Sequence, residues 1–165
     1  MALLLLAGCG DQGAEPTAPR PAGHGVVTHP VDGDTVDVRI EGAVERVRLI
    51  GIDTPESVSE DRPVECFGPE AKARLAELLP VGTEVRIERD VEARDRYGRL
   101  LAYVFRAGDD LHVNRALVAE GFAEARRYEP NVTRQAELDA AEAEARAGQR
   151  GLWPACGSTD VVLAG

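Results

Sequence analysis

Between His24 and Cys156 the chain breaks into short stretches whose apolar positions recur with a period of either two or about three and a half. Val26 and Val27 open the pattern, and a turn at Asp32-Gly33 leads into Thr35–Ile40, which alternates apolar and polar as a half-buried strand does. Glu41-Gly42 turns the chain into a second run, Val44–Ile52, ending at Gly51 and Pro55, with Val47 and Leu49 on one face and Arg46, Arg48 and Ile50 on the other. After a polar loop over 57–65, Gly68-Pro69-Glu70 sets proline near a first helical position with an acid in the first turn. Ala71, Leu75, Leu78 and Leu79 then form a helical stripe that stops at Pro80. Strands are predicted at Thr83–Glu88 and Leu100–Phe105, with a turn over Asp95–Gly98 between them. Gly108-Asp109-Asp110 turns the chain into a short helix over Val113–Glu120, halted by Gly121, and a last helix spans Thr133–Ala147, halted by Gly148. In that helix Leu138 and the alanines are expected to face inwards, with Glu137, Asp139, Glu142 and Glu144 in solvent.

Strands joined by glycine turns, with about three helices, predict an α+β domain. The simplest member of that class is a five-stranded Greek-key β-barrel of the OB type with helices packed at its ends. At 165 residues, with 44% hydrophobic and 29% charged positions, the chain has room for one such domain over 24–157. No repeat period appears, and the longest apolar run, at the N-terminus, falls far short of the roughly 20 residues a membrane helix needs.

That N-terminal run has another reading. Met1–Gly10 lacks a basic start, yet Leu6-Ala7-Gly8-Cys9 has the form of a bacterial lipobox, in which Cys9 becomes the lipidated first residue. Residues 1–9 are therefore expected to be a truncated lipoprotein-type signal with its start codon further upstream, the alternative being a frayed apolar end with a chance cysteine. Residues 10–23, rich in Gly, Pro and Ala, are expected to be a flexible tether, and 158–165 a disordered tail. The domain would then lie outside the cytoplasm, secreted or lipid-anchored to the cell membrane. Cys66 and Cys156 remain as an even pair, which in an oxidising compartment suggests a disulfide closing a loop of about 90 residues; two buried free thiols are the alternative. No Cys/His spacing offers a zinc site, and His24, His29 and His112 have no serine or cysteine partner for a triad.

Four polar clusters stand at strand ends and turns: Asp32-Gly33-Asp34-Thr35, Arg48, Asp53-Thr54-Pro55-Glu56 and Asp95-Arg96-Tyr97-Gly98-Arg99. Each alone is an ordinary turn or strand exit. Together they supply hard oxygen ligands, a third carboxylate and two arginines. Trp153, after the last helix, reads as a core anchor rather than a base-stacking platform.

The ordered set resembles the thermonuclease family, the staphylococcal-nuclease-like branch of the OB fold. The matching stretches are Val31–Val36 (VDGDTV), Arg48–Glu56 (RLIGIDTPE), Phe67–Ala71 (FGPEA), Asp95–Tyr103 (DRYGRLLAY), Val113–Ala123 (VNRALVAEGFA), Tyr128–Asn131 (YEPN) and Gly151–Trp153 (GLW). The resemblance implies a Ca²⁺-dependent nuclease that hydrolyses single-stranded DNA and RNA to 3′-phosphate products. It implies that Asp34, Asp53 and the Thr54 carbonyl bind the metal, that Glu56 positions or deprotonates the attacking water, and that Arg48 and Arg99 hold the scissile phosphate. Arg96, Tyr97 and Tyr128 would contact the nucleotide. Where the family often has a second tyrosine, two residues before Tyr128, this chain has Arg126. The chemistry suits these types, because Ca²⁺ accepts irregular all-oxygen coordination and a planar guanidinium grips phosphate in a bidentate way.

Charge pulls the other way. With 29 acidic and 19 basic residues the formal charge is −10, which repels a polyanion and points to weak affinity with a preference for single strands. Arginines beside a bound cation can still reverse the sign within one groove. The protein is expected to be a monomer. The alternative function is a surface lipoprotein that uses a nuclease-like barrel only to bind nucleic acid or envelope components.

Overall fold

The computed structural model describes residues 20–57 and 63–162, with the side chains of 20–22 excepted. The expected signal over 1–9 with Cys9, and most of the tether, lie outside the described residues.

Among the described residues, eight strands and four helices follow in order: β1 (Arg20–Asp32), β2 (Thr35–Ile40), β3 (Ala43–Leu49), β4 (Ile52–Asp53), α1 (Gly68–Leu78), β5 (Glu84–Arg89), β6 (Leu100–Arg106), β7 (Leu111–His112), α2 (Val113–Ala119), β8 (Glu124–Ala125), α3 (Gln135–Ala147) and α4 (Leu152–Ala155). The sheet runs β3-β2-β1-β5-β6-β7, and a parallel pairing of β3 with β6 closes it on itself, with β7 left outside the ring. Strands β1, β2, β3, β5 and β6 thus form a closed five-stranded barrel, the OB-type α+β fold expected from the sequence. Strand β1 is long enough to pair twice, β5 along Arg20–Val26 and β2 along Val26–Asp32, with register shifts that bend it around the barrel.

The alternation predicted for β2 is observed, with Val36 and Val38 buried against Val47 and Leu49 of β3 and Val85 and Ile87 of β5. In β6 every residue from Leu100 to Phe105 is buried, because its outer side lies under α2, on which α3 packs in turn. Asn114 of α2 fastens that layer. Its side chain accepts from the Val104 N–H at 2.9 Å and donates to the Ile50 carbonyl at 2.9 Å. Among the described residues no helix is long and apolar enough to cross a membrane.

Several expectations need correction. The run Val44–Ile52 is not one strand: β3 ends at Leu49, and the chain turns at Ile50-Gly51 before β4 pairs with β8. Gly51 has φ of 76°, and a Cβ there would lie 2.4 Å from Leu138 Cδ1, so the turn requires glycine. On α3, Leu138, Ala141 and Ala145 face inwards, but Glu137 and Glu142 are half-buried and hold specific partners. Glu137 meets His112 and Arg134, while Glu142 accepts from the Ala125 N–H. Trp153 is half-exposed beneath Arg146, and its neighbour Leu152 is the buried anchor.

Both domain boundaries also differ. β1 already begins at Arg20, within the stretch expected to be tether, because it pairs with Arg89. Residues 158–162, expected in the tail, are docked: Thr159 is buried, and the Cys66 N–H donates to the Val161 carbonyl at 2.6 Å. The cause is covalent. Cys66 and Cys156 form a disulfide with a Cα–Cα distance of 5.9 Å, which holds the following strap (157–162) against the turn before α1.

Candidate nuclease site

The turn between β1 and β2 presents Asp34, which is almost fully buried. Register pairs Thr35 with Arg48 of β3, so the turn and Arg48 meet at one end of the barrel. Asp34 Oδ1 accepts from Thr35 Oγ1 at 3.0 Å and Oδ2 from Thr54 Oγ1 at 3.1 Å. The Arg48 guanidinium then bridges two carboxylates, contacting Asp34 Oδ2 through Nη1 and Asp53 Oδ1 through Nη2, the latter at 3.0 Å. Arg48 also donates to the Ile52 carbonyl at 3.3 Å, which ties β3 to β4.

Glu56 follows two residues after Thr54. Its N–H donates to Glu65 Oε2 at 2.8 Å, and its carbonyl accepts from the Glu65 N–H. The first residue of α1 lies directly behind it: a Cβ on Gly68 would stand 2.2 Å from the Glu56 carbonyl oxygen. Only glycine lets the helix start that close.

Arg99 comes from the other side of the barrel closure. Parallel pairing sets Arg48 opposite Leu101, which brings the Asp95–Arg99 turn alongside β3. Asp95 organises that turn by accepting from the Tyr97 and Arg99 N–H groups and from Arg99 Nε at 2.6 Å. Burial raises the Asp95 pKa, but the Arg99 side chain and these N–H donors outweigh it and hold the carboxyl below its ordinary value. Tyr97 is exposed, with the Arg96 guanidinium 4.8 Å and that of Arg99 5.5 Å from its ring centre.

Two hollows meet at these residues. One, of about 490 Å³, is lined by Asp34, Arg48, Asp53, Thr54, Glu56 and Arg99, among others. The second, of about 620 Å³, is lined by Arg96 and Tyr128 among others and shares Arg48, Tyr97 and Arg99 with the first. The structure therefore gathers Asp34, Arg48, Asp53, Thr54, Glu56, Tyr97 and Arg99 into one cleft, with Arg96 and Tyr128 in the adjoining hollow.

Among the described residues no cluster of three or more Asp, Glu, His or Cys is arranged to hold a metal. What converges is a carboxylate pair, Asp34 and Asp53, brought together on one guanidinium. A space bracketed by two carboxylates, next to a Thr54 main chain and without nitrogen or sulfur donors, fits a hard divalent cation that takes its other ligands from water or phosphate.

The sequence reading gave no role to Arg126 or Asp160. Arg126 Nη2 donates to Asp53 Oδ2 at 3.0 Å and lies 3.6 Å from Asp160 of the strap. Burial lowers the Arg126 pKa, but Asp53 and the neighbouring Tyr128, Asp160 and Glu124 outweigh it and raise it overall. The only signal for Arg126 was its place two residues before Tyr128; for Asp160 there was none.

Fold and cleft define a class: a closed OB-type barrel with paired carboxylates and paired arginines at its rim. The family described as Staphylococcal nuclease homologue matches residues 46–155. The chain is 40% identical over 128 residues to the thermonuclease of Staphylococcus intermedius, covering 78% of this chain and 74% of that one. It is 38% identical to the thermonuclease of Staphylococcus hyicus, covering 74% and 71%, and 36% identical to endonuclease YncB of Bacillus subtilis, covering 77% and 60%. The chain belongs to the staphylococcal nuclease family.

Proposed function

We propose that this protein is a Ca²⁺-dependent nuclease that hydrolyses phosphodiester bonds of single-stranded DNA and RNA and leaves 3′-phosphate products. The observation that carries the reading is the cleft itself, where the Asp34–Asp53 pair, Glu56, Arg48 and Arg99 open on one space of about 490 Å³. The names thermonuclease and endonuclease among its relatives support it.

Hydrolysis adds negative charge to the phosphate oxygens as water attacks, and the cleft answers with fixed cations. Asp34, Asp53 and the Thr54 carbonyl would hold Ca²⁺, which when bound polarises the phosphate as a Lewis acid. Arg48 and Arg99, approaching from opposite sides of the barrel closure, hold phosphate oxygens. Glu56 orients the water and accepts its proton. The water oxygen bonds to phosphorus, the bond from phosphorus to the 5′ oxygen breaks, and that oxygen takes a proton from solvent. Tyr97, Arg96 and Tyr128 offer exposed rings and a guanidinium on which bases can stack, which favours strands whose bases are unpaired. Arg94, Arg96 and Arg99 around the adjoining hollow offer a polyanion local positive charge on a chain of charge −10, while the acid-rich cleft itself would take phosphate only with its cation present.

The disulfide supports an oxidising location, outside the cytoplasm. In this reading the domain is a monomer, either secreted or lipid-anchored to the cell membrane through Cys9. The test incubates the oxidised protein with single-stranded DNA and RNA, in Ca²⁺ or in a chelator. Ca²⁺-dependent cleavage to 3′-phosphate ends is expected. A folded sample that binds strands without cutting them would replace the nuclease with a binding protein on the same barrel.

A further inference from the structure

Asp53 carries a guanidinium on each oxygen. Arg48 Nη2 donates to Oδ1 at 3.0 Å and Arg126 Nη2 to Oδ2 at 3.0 Å. A role for Arg48 follows from the phosphate chemistry; none follows for Arg126, and its placement has its own cause. In the β4–β8 ladder Asp53 faces Glu124 and Ile52 faces Ala125, and the Arg126 N–H donates to the Gly51 carbonyl at 2.9 Å. Arg126 therefore stands across from a residue with no side chain, two positions along from Asp53. Residues two apart share a face, and a long side chain spans the diagonal between neighbouring strands. Gly51 leaves that diagonal open.

Beyond Arg126 lies Asp160, at 3.6 Å. The strap that carries it is held by the Cys66–Cys156 disulfide, by Glu124 Oε1 accepting from the Thr159 N–H at 3.0 Å, and by the bond from Cys66 N–H to Val161. Arg126 is thus a cation shared between a metal-side carboxylate and a strap carboxylate.

We propose that Arg126 is a positioning residue that sets the divalent-cation affinity of the Asp34–Asp53 pair: it pins Asp53 Oδ2 and weakens cation binding, and Asp160 offsets part of its charge. The inference rests on the metal reading above. A permanent positive charge held on the far oxygen of a ligand carboxylate competes with any divalent ion drawn to the near one, and the partly buried setting limits screening. The site then fills only where the ion is plentiful, and the strap moderates that threshold through Asp160.

The test is calorimetric titration of the full, oxidised chain with Ca²⁺ in the absence of nucleic acid, with folding checked by circular dichroism. Arg126→Gln is expected to bind Ca²⁺ roughly tenfold more tightly, as loss of one nearby like charge implies. Arg126→Lys, which keeps the charge, is expected to stay within about twofold of the parent, and Asp160→Asn to bind about two- to threefold more weakly. A folded Arg126→Gln protein with unchanged or weaker binding overturns the proposal. Binding by the parent with no response in Arg126→Gln overturns this inference alone, whereas no Ca²⁺ uptake by the parent overturns the metal reading with it.

Discussion

Arg48→Ala tests the physical arrangement of the cleft without requiring turnover. The guanidinium it removes is 14% exposed and touches both Asp34, whose side chain is 7% exposed, and Asp53, at 23%. Removing one partner of a buried pair costs about 3–5 kcal/mol, because the other charge is left uncompensated. Asp53 keeps Arg126 and some solvent, so the low end applies, about 3 kcal/mol near neutral pH. At roughly 2–4 °C per kcal/mol for a domain of this size, the melting temperature in chelator should fall by about 6–12 °C. Ca²⁺ then distinguishes the explanations. An ion at about 100 times its dissociation constant adds roughly 2.7 kcal/mol to any protein that binds it only when folded. The variant should gain more than the parent, because its carboxylates have lost the guanidinium that competes for them. Differential scanning calorimetry of both proteins, with chelator and with saturating Ca²⁺, should show the gap shrink by at least half. An equal gap in both conditions would refute the idea that Arg48 and the ion compensate the same carboxylate pair.

Three further outcomes follow from other parts of the molecule. Arg99→Ala should lower turnover by about 10²–10³-fold, the scale for losing one charge-stabilising donor, while its loss of a half-exposed pair with Asp95 moves the melting temperature by only a few degrees; near-normal cleavage by the folded variant would remove Arg99 from the reaction. Replacing Cys66 and Cys156 together by serine opens a 90-residue loop and should cost up to roughly 4–5 kcal/mol, read as the shift in the urea midpoint, with faster hydrogen exchange at the main-chain amide of position 66, which donates to the Val161 carbonyl in the parent. Burial holds the His112 imidazole below its ordinary pKa, against the pull of Glu137, so below about pH 6.5 the unfolded chain takes up a proton that the folded chain refuses. Stability should therefore fall as pH drops from about 6.5 towards the folded pKa, and His112→Gln should flatten that decline in urea titrations; an unchanged slope would show that other groups cause it.

The parts of the fold legible in the sequence are those where one face is buried over several residues. Alternation in Thr35–Ile40 and the stripe Ala71, Leu75, Leu78 and Leu79 both mark surfaces that pack on the barrel, and periodicity reports such surfaces directly. Two-residue elements give no period, so β4, β8 and the single-turn α4 could not be read; Gly51 stands out as a stop of the second run, but the reason only glycine fits there, the Leu138 side chain, lies far along the chain. The same limit governs the cleft. Asp34, Arg48, Asp53, Glu56 and Arg99 could be named from their spacing and the family they resemble. Arg126 reaches Asp53 only through a ladder no local pattern announces, and Asp160 only through a disulfide that pulls the strap back across the molecule. Glu137 looked like one more solvent-facing acid because His112 and Arg134 are neighbours in space alone.

The parallel pairing of β3 with β6 has a consequence in time. It joins Val47–Leu49 to Leu100–Ala102, and this junction sets Arg99 beside Arg48. A ribosome therefore releases Asp34, Asp53, Glu56 and Arg48 long before Arg99 exists. Even then the two halves stay apart until a loop of about fifty residues has closed, a step that chain entropy makes slow relative to local folding. A growing or half-folded chain has the pieces of the cleft but not the cleft. Assembly of the site and closure of the barrel are one event, so a chain that holds the complete cleft is by construction a chain whose barrel has closed.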